Sequence, residues 1–231
     1  MRYDAVVFDL FGTLVPSPSP EPFIVDHRRT AELLGVDPDA YLQAWYAQPM
    51  SLRRSIGLFA DVAQAIQAVC DKLEVAITDE QMADAVSRRI ETTRQALMTP
   101  RHDAIDTLDS IGAKGLRRGL ISDCSAEVPE IWPETPFVGK IDAAAFSSKE
   151  GIKKPDRRLY ENVCWQLHLQ PDQCLFVGDG ACPELTGARQ AGMDAVLICP
   201  PEEADIILGR DEGKNWQGPV ISALGEVLGM I

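Results

Sequence analysis

The sequence predicts a doubly wound, parallel α/β core with an inserted α-helical cap. In the second half of the chain, short apolar runs alternate with amphipathic stretches, the pattern of a parallel sheet with helices on both faces. Between residues 24 and 97, apolar residues recur instead at helical spacing. With 231 residues, the chain suits one large domain or a core plus a modest insertion. We therefore assign residues 1–16 and 99–231 to the core domain and 17–98 to the cap domain.

The N-terminal segment predicts the first strand and the linker into the cap. Residues 3–10 form a short apolar run that ends in an acid, and Gly12 follows, which indicates a buried strand and a turn. The next segment alternates proline with serine and glutamate, which we interpret as neither helix nor central strand. The prolines of this linker are Pro16, Pro18, Pro20 and Pro22.

The cap sequence carries helical signals up to the return into the core. Thr78 followed by Gln81 matches a capping box at the start of the last cap helix. Residues 99–101 then break the helical periodicity. The core elements predicted after this point are a helix over 104–111, strands over 118–122 and 143–146, a helix from Pro155 through His168, a strand over 174–178, a helix over 184–191, strands over 195–199 and 204–208, and a closing helix over 220–228.

Composition excludes several classes of function. The chain has 22 Lys and Arg against 35 Asp and Glu, a net charge of −13, which disfavours nucleic acid as a partner. A small anionic substrate remains compatible, because a local cluster of cations acts at short range. No stretch approaches the roughly 20 apolar residues of a membrane span, and no charged leader precedes the first apolar run. We therefore expect a cytoplasmic protein with no membrane partner.

The six cysteines predict buried, reduced thiols. None forms a CxxC pair, and the three histidines lie far apart in the sequence, so a zinc site is not expected. Several cysteines lie within apolar runs, as Cys174 and Cys199 do.

Polar residues mark the ends of the predicted strands. Asp9 ends the first, Ser122 and Asp123 end the second, and Asp179 ends the fourth. Ligands of open parallel sheets bind beyond these carboxyl ends. Two carboxylates that converge there suit one hard divalent cation, most simply magnesium, with Lys154 as a compensating cation.

These segments resemble the four motifs of the haloacid dehalogenase superfamily, in the order of that family. The matching segments are Asp9–Leu14, Ser122 after its apolar strand, Lys154–Asp156 and Gly178–Gly180. The resemblance covers essentially the whole chain, and residues 17–98 resemble the helical cap of the first cap class. It implies hydrolysis through a covalent aspartyl intermediate, and a monomer or homodimer.

The resemblance also implies roles for individual residues. Asp9 is the expected nucleophile. Ser122 and the backbone N–H groups near Gly12 and Thr13 are expected to bind the transferred group, and Lys154 to balance charge. The implied magnesium ligands are Asp9, the backbone carbonyl of Phe11, Asp179 and, through water, Glu184.

Phe11 departs from the family pattern and leaves the reaction open. Phosphatases of the family carry there a second aspartate that protonates the leaving group, work typically worth about 10²- to 10⁴-fold in rate. The chain is therefore a phosphatase for substrates with good leaving groups, a 2-haloacid dehalogenase, or a catalytically weak binding protein. The intact Gly178–Gly180 segment retains the metal-binding aspartate and favours the magnesium-dependent phosphatase.

The cap offers fewer signals for substrate recognition. Arg54 is a candidate substrate-binding residue because dehalogenases use a cap arginine, although the sequence favours a solvated helix face for Arg53 and Arg54. Trp45 and Tyr46 are expected to pack cap helices together. Asp123 either orients Ser122 or repels anions.

Overall fold

A six-stranded, fully parallel sheet forms the centre of the molecule. In the computed structural model, which describes residues 2–16 and 20–231, the strand order is β3-β2-β1-β4-β5-β6. All neighbouring strands pair in parallel. The strands are β1 (Ala5–Phe8), β2 (Arg117–Ser122), β3 (Ala143–Phe146), β4 (Cys174–Gly178), β5 (Asp194–Ile198) and β6 (Val220–Ile221). The prediction of a doubly wound parallel sheet is confirmed.

Among the described residues, six helices lie between β1 and β2, and the first five of them are called the cap helices below. They are α1 (Pro20–Leu34), α2 (Pro38–Tyr46), α3 (Met50–Ser55), α4 (Val62–Lys72) and α5 (Asp79–Leu97). They share an apolar cluster of their own around Tyr41, Ile66 and Val69, and the capping box of Thr78 and Gln81 opens α5 as predicted. The cap is thus helical, while the exact domain boundaries at residues 16 and 99 stay a prediction.

Helix α1 begins earlier than the prolines of the linker suggest. Pro20 and Pro22 were predicted to exclude helix, yet α1 starts at Pro20. The first N–H groups of a helix have no intrahelical acceptor, so prolines in the first turn remove no hydrogen bond. Residues 17–19, with Pro18, lie outside the described residues.

Helices cover both faces of the sheet. The remaining helices are α6 (Ala104–Ala113), α7 (Glu127–Ile131), α8 (Ser147–Glu150), α9 (Arg157–Leu167), α10 (Glu184–Ala191), α11 (Ala204–Gly209) and α12 (Asp211–Asn215). Val6 and Phe8 of β1 belong to an apolar cluster shared with α6, and Val7 to one shared with α9 and α10. Alternation along each strand thus buries both faces, which explains the nearly continuous apolar strands.

Two predicted elements near the C-terminus are wrong. Residues 204–208 form helix α11, in which Ile207 is buried while Leu208 is exposed, so their apolar run reflects one buried helix face. Residues 220–228 are not one helix: β6 is followed by a 3-10 helix, Leu224–Gly229. The backbone N–H of Cys199 donates to the Ile221 carbonyl at 2.8 Å, so pairing with the edge of β5 decides the conformation there.

All six cysteines are free thiols, as predicted; Cys70, Cys124, Cys164 and Cys174 are buried, whereas Cys182 and Cys199 are only partly buried. Among the described residues, no helix combines the length and apolar character needed to cross a bilayer.

Candidate active site

The polar residues singled out in the sequence lie at the carboxyl edge of the sheet. Asp9 directly follows β1, Ser122 ends β2, and Asp179 directly follows β4. Lys154 lies in the loop between α8 and α9. Because β2, β1 and β4 are neighbours, their carboxyl ends meet where open parallel sheets bind ligands.

Lys154 is the buried cation of this site. Its Nζ donates to Oδ1 of Asp9 and to Oε2 of Glu184, and all three side chains are buried. Burial raises the pKa of Asp9 to about 6, an effect that Lys154 opposes and Asp179 reinforces. Burial also acts to lower the pKa of Lys154, but attraction by Asp9 and Glu184 outweighs it and holds this pKa well above its usual value. The ammonium group therefore stays charged and compensates the buried carboxylates.

Asp179 has a cationic partner that the sequence analysis missed. Its Oδ1 accepts a hydrogen bond from the Ala181 N–H at 3.0 Å. Its Oδ2 accepts one from the guanidinium of Arg210, which lies between α11 and α12. Arg210 carried no signal in the sequence, because it follows the segment wrongly predicted as a strand.

Three carboxylates form a cluster with the donor chemistry of a hard-cation site. One oxygen from each of Asp9, Asp179 and Glu184 lies within 4.8 Å of the other two. Gly12 has φ of +89°, and a Cβ there would lie 1.9 Å from Oδ2 of Asp179, so glycine leaves the room for this carboxylate. These buried oxygen donors fit magnesium. The predicted contribution of the Phe11 carbonyl stays a prediction.

The turn after Asp9 differs from its predicted role. The N–H groups of Gly12 and Thr13 were expected to face the transferred group, but they donate to the carbonyls of Val15 (2.7 Å) and Leu10 (3.3 Å) and close the turn. Thr13 contributes its side chain instead, with the hydroxyl 3.5 Å from Oδ2 of Asp9.

Arg101, where the chain returns from the cap to the core, stabilises the turn that follows Asp9. Its buried guanidinium donates to the carbonyls of Gly12 (2.9 Å) and Thr13 (3.0 Å) and pairs with Glu203 at 2.7 Å. The sequence analysis did not predict these contacts, so the role of Arg101 in positioning the turn emerges from the fold alone.

Ser122 and Asp123 have different surroundings although they are adjacent. The Ser122 hydroxyl is buried without a hydrogen-bond partner among the described residues, a costly arrangement that a ligand oxygen would relieve. Asp123 accepts from the Lys154 N–H at 2.9 Å and pairs with Lys153 at 3.3 Å. Asp123 therefore positions the loop that carries Lys154, and its two predicted roles stay predictions.

A cavity of about 220 Å³ separates this site from the cap helices. Phe11 and Asp123 line its core side, and Arg54 lines its cap side. Arg54 is therefore not on a solvated face; its guanidinium lies 4.0 Å from the ring centre of Trp45. Trp45 is buried among the cap helices as predicted and lines the cavity as well. Two further lining residues, His27 and Arg89, were missed by the sequence analysis.

Comparisons with known proteins agree with this arrangement. The family model described as haloacid dehalogenase-like hydrolase matches residues 3–192. The chain is 24% identical to (S)-2-haloacid dehalogenase 4A of Burkholderia cepacia, over 86% of this chain and 85% of that protein. It is 28% identical to the glyceraldehyde 3-phosphate phosphatase of Methanothermobacter thermautotrophicus, but this match covers 45% of the chain and 46%, about half, of that relative.

A solved structure of similar fold is the HAD phosphatase from Thermococcus onnurineus. It superposes with a TM-score of 0.68 at 19% identity, over 98% of this chain and 97% of that one. At this identity the likeness concerns the fold. Together with the match over residues 3–192, it shows that the chain belongs to the haloacid dehalogenase-like hydrolases.

Proposed function

We propose that the protein is a magnesium-dependent phosphatase for a small phosphorylated metabolite with a good leaving group. The observation that supports this most is the carboxylate cluster of Asp9, Asp179 and Glu184, whose oxygens lie within 4.8 Å of one another. Asp9 and Asp179 would hold the ion, with the Phe11 carbonyl and Glu184 nearby. When bound, magnesium would neutralise charge on the phosphoryl group.

The side chains of the site suit a two-step displacement. The Asp9 carboxylate attacks phosphorus, and the bond to the leaving oxygen breaks with its electron pair on that oxygen. The Lys154 ammonium, bonded to Asp9, balances the negative charge, and the unpartnered Ser122 hydroxyl donates to a phosphoryl oxygen. Water then attacks the phosphorus of the aspartyl phosphate, and the bond between phosphorus and the Asp9 oxygen breaks with its electron pair on the carboxylate. Both protons of the water leave with the inorganic phosphate.

Phe11 sets the limit on the leaving group. It lines the cavity beside the site, where it can neither donate a proton nor activate water. Substrates whose leaving group departs as a stable anion are therefore favoured. The same apolar side chain, with the similarity to a haloacid dehalogenase, supports a second candidate function: displacement of halide from a short 2-haloacid by attack of Asp9 on carbon.

Hydrolysis of para-nitrophenyl phosphate tests the proposal directly, because its leaving group needs little protonation. We expect phosphate release with magnesium, none with EDTA, and none from Asp9→Asn; Asp179→Asn should remove the response to magnesium. A rate of phosphate release that changes neither with magnesium nor with Asp179→Asn would contradict the metal assignment. Chloride release from 2-chloropropionate without phosphate release would establish the dehalogenase, and wild-type rates equal to those of Asp9→Asn on both substrates would indicate a binding protein.

A further inference from the structure

The cavity between the core and the cap helices is lined by an apolar side chain of the core and by basic side chains of the cap helices. Phe11, on the turn that follows Asp9, lines its core side. The cap side, called the cap wall below, carries three basic side chains, those of His27, Arg54 and Arg89. A substrate held at Asp9 can therefore extend past Phe11 towards these groups.

His27 offers an unused hydrogen-bonding atom on this wall. The residue is 2% exposed, and its Nε2 has no partner among the described residues. Its ring packs against Trp45 and Tyr46, with centroid separations of 5.0 and 5.4 Å. Burial, with Arg89 and Arg54 nearby, lowers the pKa of His27 to about 3, so the imidazole is neutral and Nε2 serves as one donor or one acceptor.

The two arginines of the wall differ in their partners. Arg89 pairs with the buried Glu127 at 2.9 Å. Arg54 contacts the ring and the carbonyl of Trp45, and among the described residues no carboxylate forms an ion pair with it. Asp123, the acid on the core side of the cavity, pairs with Lys153. Among the described residues, Arg54 is therefore a cation of this wall that no carboxylate pairs, and the charge of one anion would balance it.

We propose that this wall binds a carboxylate at the end of the substrate remote from the reacting group. A monoanion supplies the missing charge, and the planar guanidinium of Arg54 matches the two oxygens of a carboxylate. A phosphate dianion would overcompensate the wall. The phosphate group of such a substrate rests on the proposed function. With a carboxylate at the other end, the substrate class narrows to short phosphorylated carboxylic acids.

The test compares two ligands that differ at the remote end alone. In the Asp9→Asn protein with magnesium, calorimetry would measure the dissociation constants of 3-phosphoglycerate, which ends in a carboxylate, and glycerol 3-phosphate, which ends in a hydroxymethyl group. We expect the carboxylate to bind roughly ten- to hundredfold more tightly, the scale of a charged hydrogen bond. Arg54→Gln should reduce this preference to within about threefold. Arg53→Gln, an exposed neighbour outside the cavity wall, should preserve it.

A second measurement separates this inference from the phosphatase proposal. Thermal unfolding of the wild-type protein with glycerate, which lacks phosphate, is compared with glycerol. One outcome is that neither phosphate ester binds, while glycerate stabilises the wild type but not Arg54→Gln. This outcome would support the carboxylate site and contradict the phosphatase proposal.

Three outcomes overturn the inference. The first is equal binding of both esters with no effect of Arg54→Gln, which leaves the phosphatase intact. The second is tighter binding of glycerol 1,3-bisphosphate than of 3-phosphoglycerate, which assigns the wall to phosphate. The third is no binding of either ester together with no stabilisation by glycerate. If Arg54→Gln fails to fold, Arg54→Lys replaces it, because lysine keeps the charge but loses the paired donors.

Discussion

The catalytic centre and the cap wall are both buried and charged, but their charges are balanced differently. In the centre, Lys154 and Arg210 are paired with three carboxylates. On the wall, Arg89 is paired with Glu127, whereas Arg54 has no ion pair with a carboxylate among the described residues. Buried ions are stable when paired, so each region lacks a charge of a particular sign: a cation fits the centre, and an anion fits the wall. The comparison of the two regions shows that the sign of a buried charge without a partner indicates whether a region suits a cation or an anion.

The largest expected effect comes from removing the cation of the centre. Lys154→Met leaves Asp9 and Glu184 without their shared partner, so we expect kcat/KM to fall on the order of 10³-fold, the upper range for one electrostatic catalytic group. Steady-state kinetics on para-nitrophenyl phosphate would measure it. The control is Lys153→Met, which removes a half-exposed cation paired with Asp123, and should stay within about threefold of the wild type. Equal losses in both variants would contradict a special role for Lys154.

Removing the carboxylate from the wall should instead affect stability. Glu127→Gln removes the carboxylate that pairs with Arg89, and we expect the free energy of unfolding to fall by about 1.5–3 kcal/mol. Urea denaturation would measure the loss, and the exposed Glu130→Gln should change it by less than about 0.5 kcal/mol.

This loss should also depend on pH. Burial acts to raise the pKa of Glu127, but Arg89 and hydrogen bonds to the carboxylate outweigh it and hold this pKa below the ordinary 4.5. A carboxylate with a lowered folded-state pKa stabilises fully above its unfolded-state value and loses this contribution as pH falls. The difference between wild type and Glu127→Gln should therefore be complete at neutral pH and shrink below pH 4.5. A difference that grows with acid would refute the pairing.

Phe11 follows Asp9 by two residues and also lines the cavity next to the cap wall. Substitutions of Phe11 therefore test whether proton transfer limits the reaction. Phe11→Asp adds a group that can protonate a leaving oxygen, so we expect at least about a tenfold gain in hydrolysis of glycerol 3-phosphate. The gain on para-nitrophenyl phosphate should be smaller. Phe11→Asn has a similar size to aspartate but carries no transferable proton; an equal gain from this variant would show that space, rather than proton transfer, limits the reaction.

The smallest effect is expected at Arg210. Its guanidinium pairs with Asp179 and repels a cation bound there, so Arg210→Gln should tighten magnesium binding by about three- to tenfold, a modest Coulomb effect at a partly exposed site. Calorimetric titration with magnesium alone would measure it without reference to activity. Arg189→Gln is the control, because Arg189 stacks on Trp216. Weaker magnesium binding in Arg210→Gln would show that the arginine supports the metal site.

The sequence predicted those parts of the site that depend on strand ends. Asp9, Ser122 and Asp179 were recognisable because each follows an apolar run, and parallel strands bring such positions to one edge. The strands themselves were recognisable because both faces are buried. Predictions failed where distant contacts decide local structure, as at residues 204–208 and 220–228.

The missed residues share one property: their neighbours are far away in the sequence. Arg89 of α5 is partly buried, because its guanidinium bonds to Glu127 of α7, 38 residues away in the sequence. His27 reaches the cavity through the arrangement of the cap helices, and Arg210 reaches Asp179 through the position of α11. No short motif encodes these placements, so the chemistry of the centre was more predictable than the recognition of the substrate.

The contact between Leu14 and Arg101 makes the protein modular. Leu14 and Val15 belong to the core cluster before the chain enters the cap, and the N–H of Arg101 on its return donates to the Leu14 carbonyl at 2.8 Å. The two connections between core and cap are thus adjacent. The ends of a different inserted segment would need to lie only a hydrogen bond apart. A graft that keeps Arg101 and an apolar residue in place of Leu97, which packs into the core cluster, should leave the turn after Asp9 undisturbed. We therefore expect that the cap helices of a relative can replace residues between Leu14 and Arg101 while the core keeps its fold.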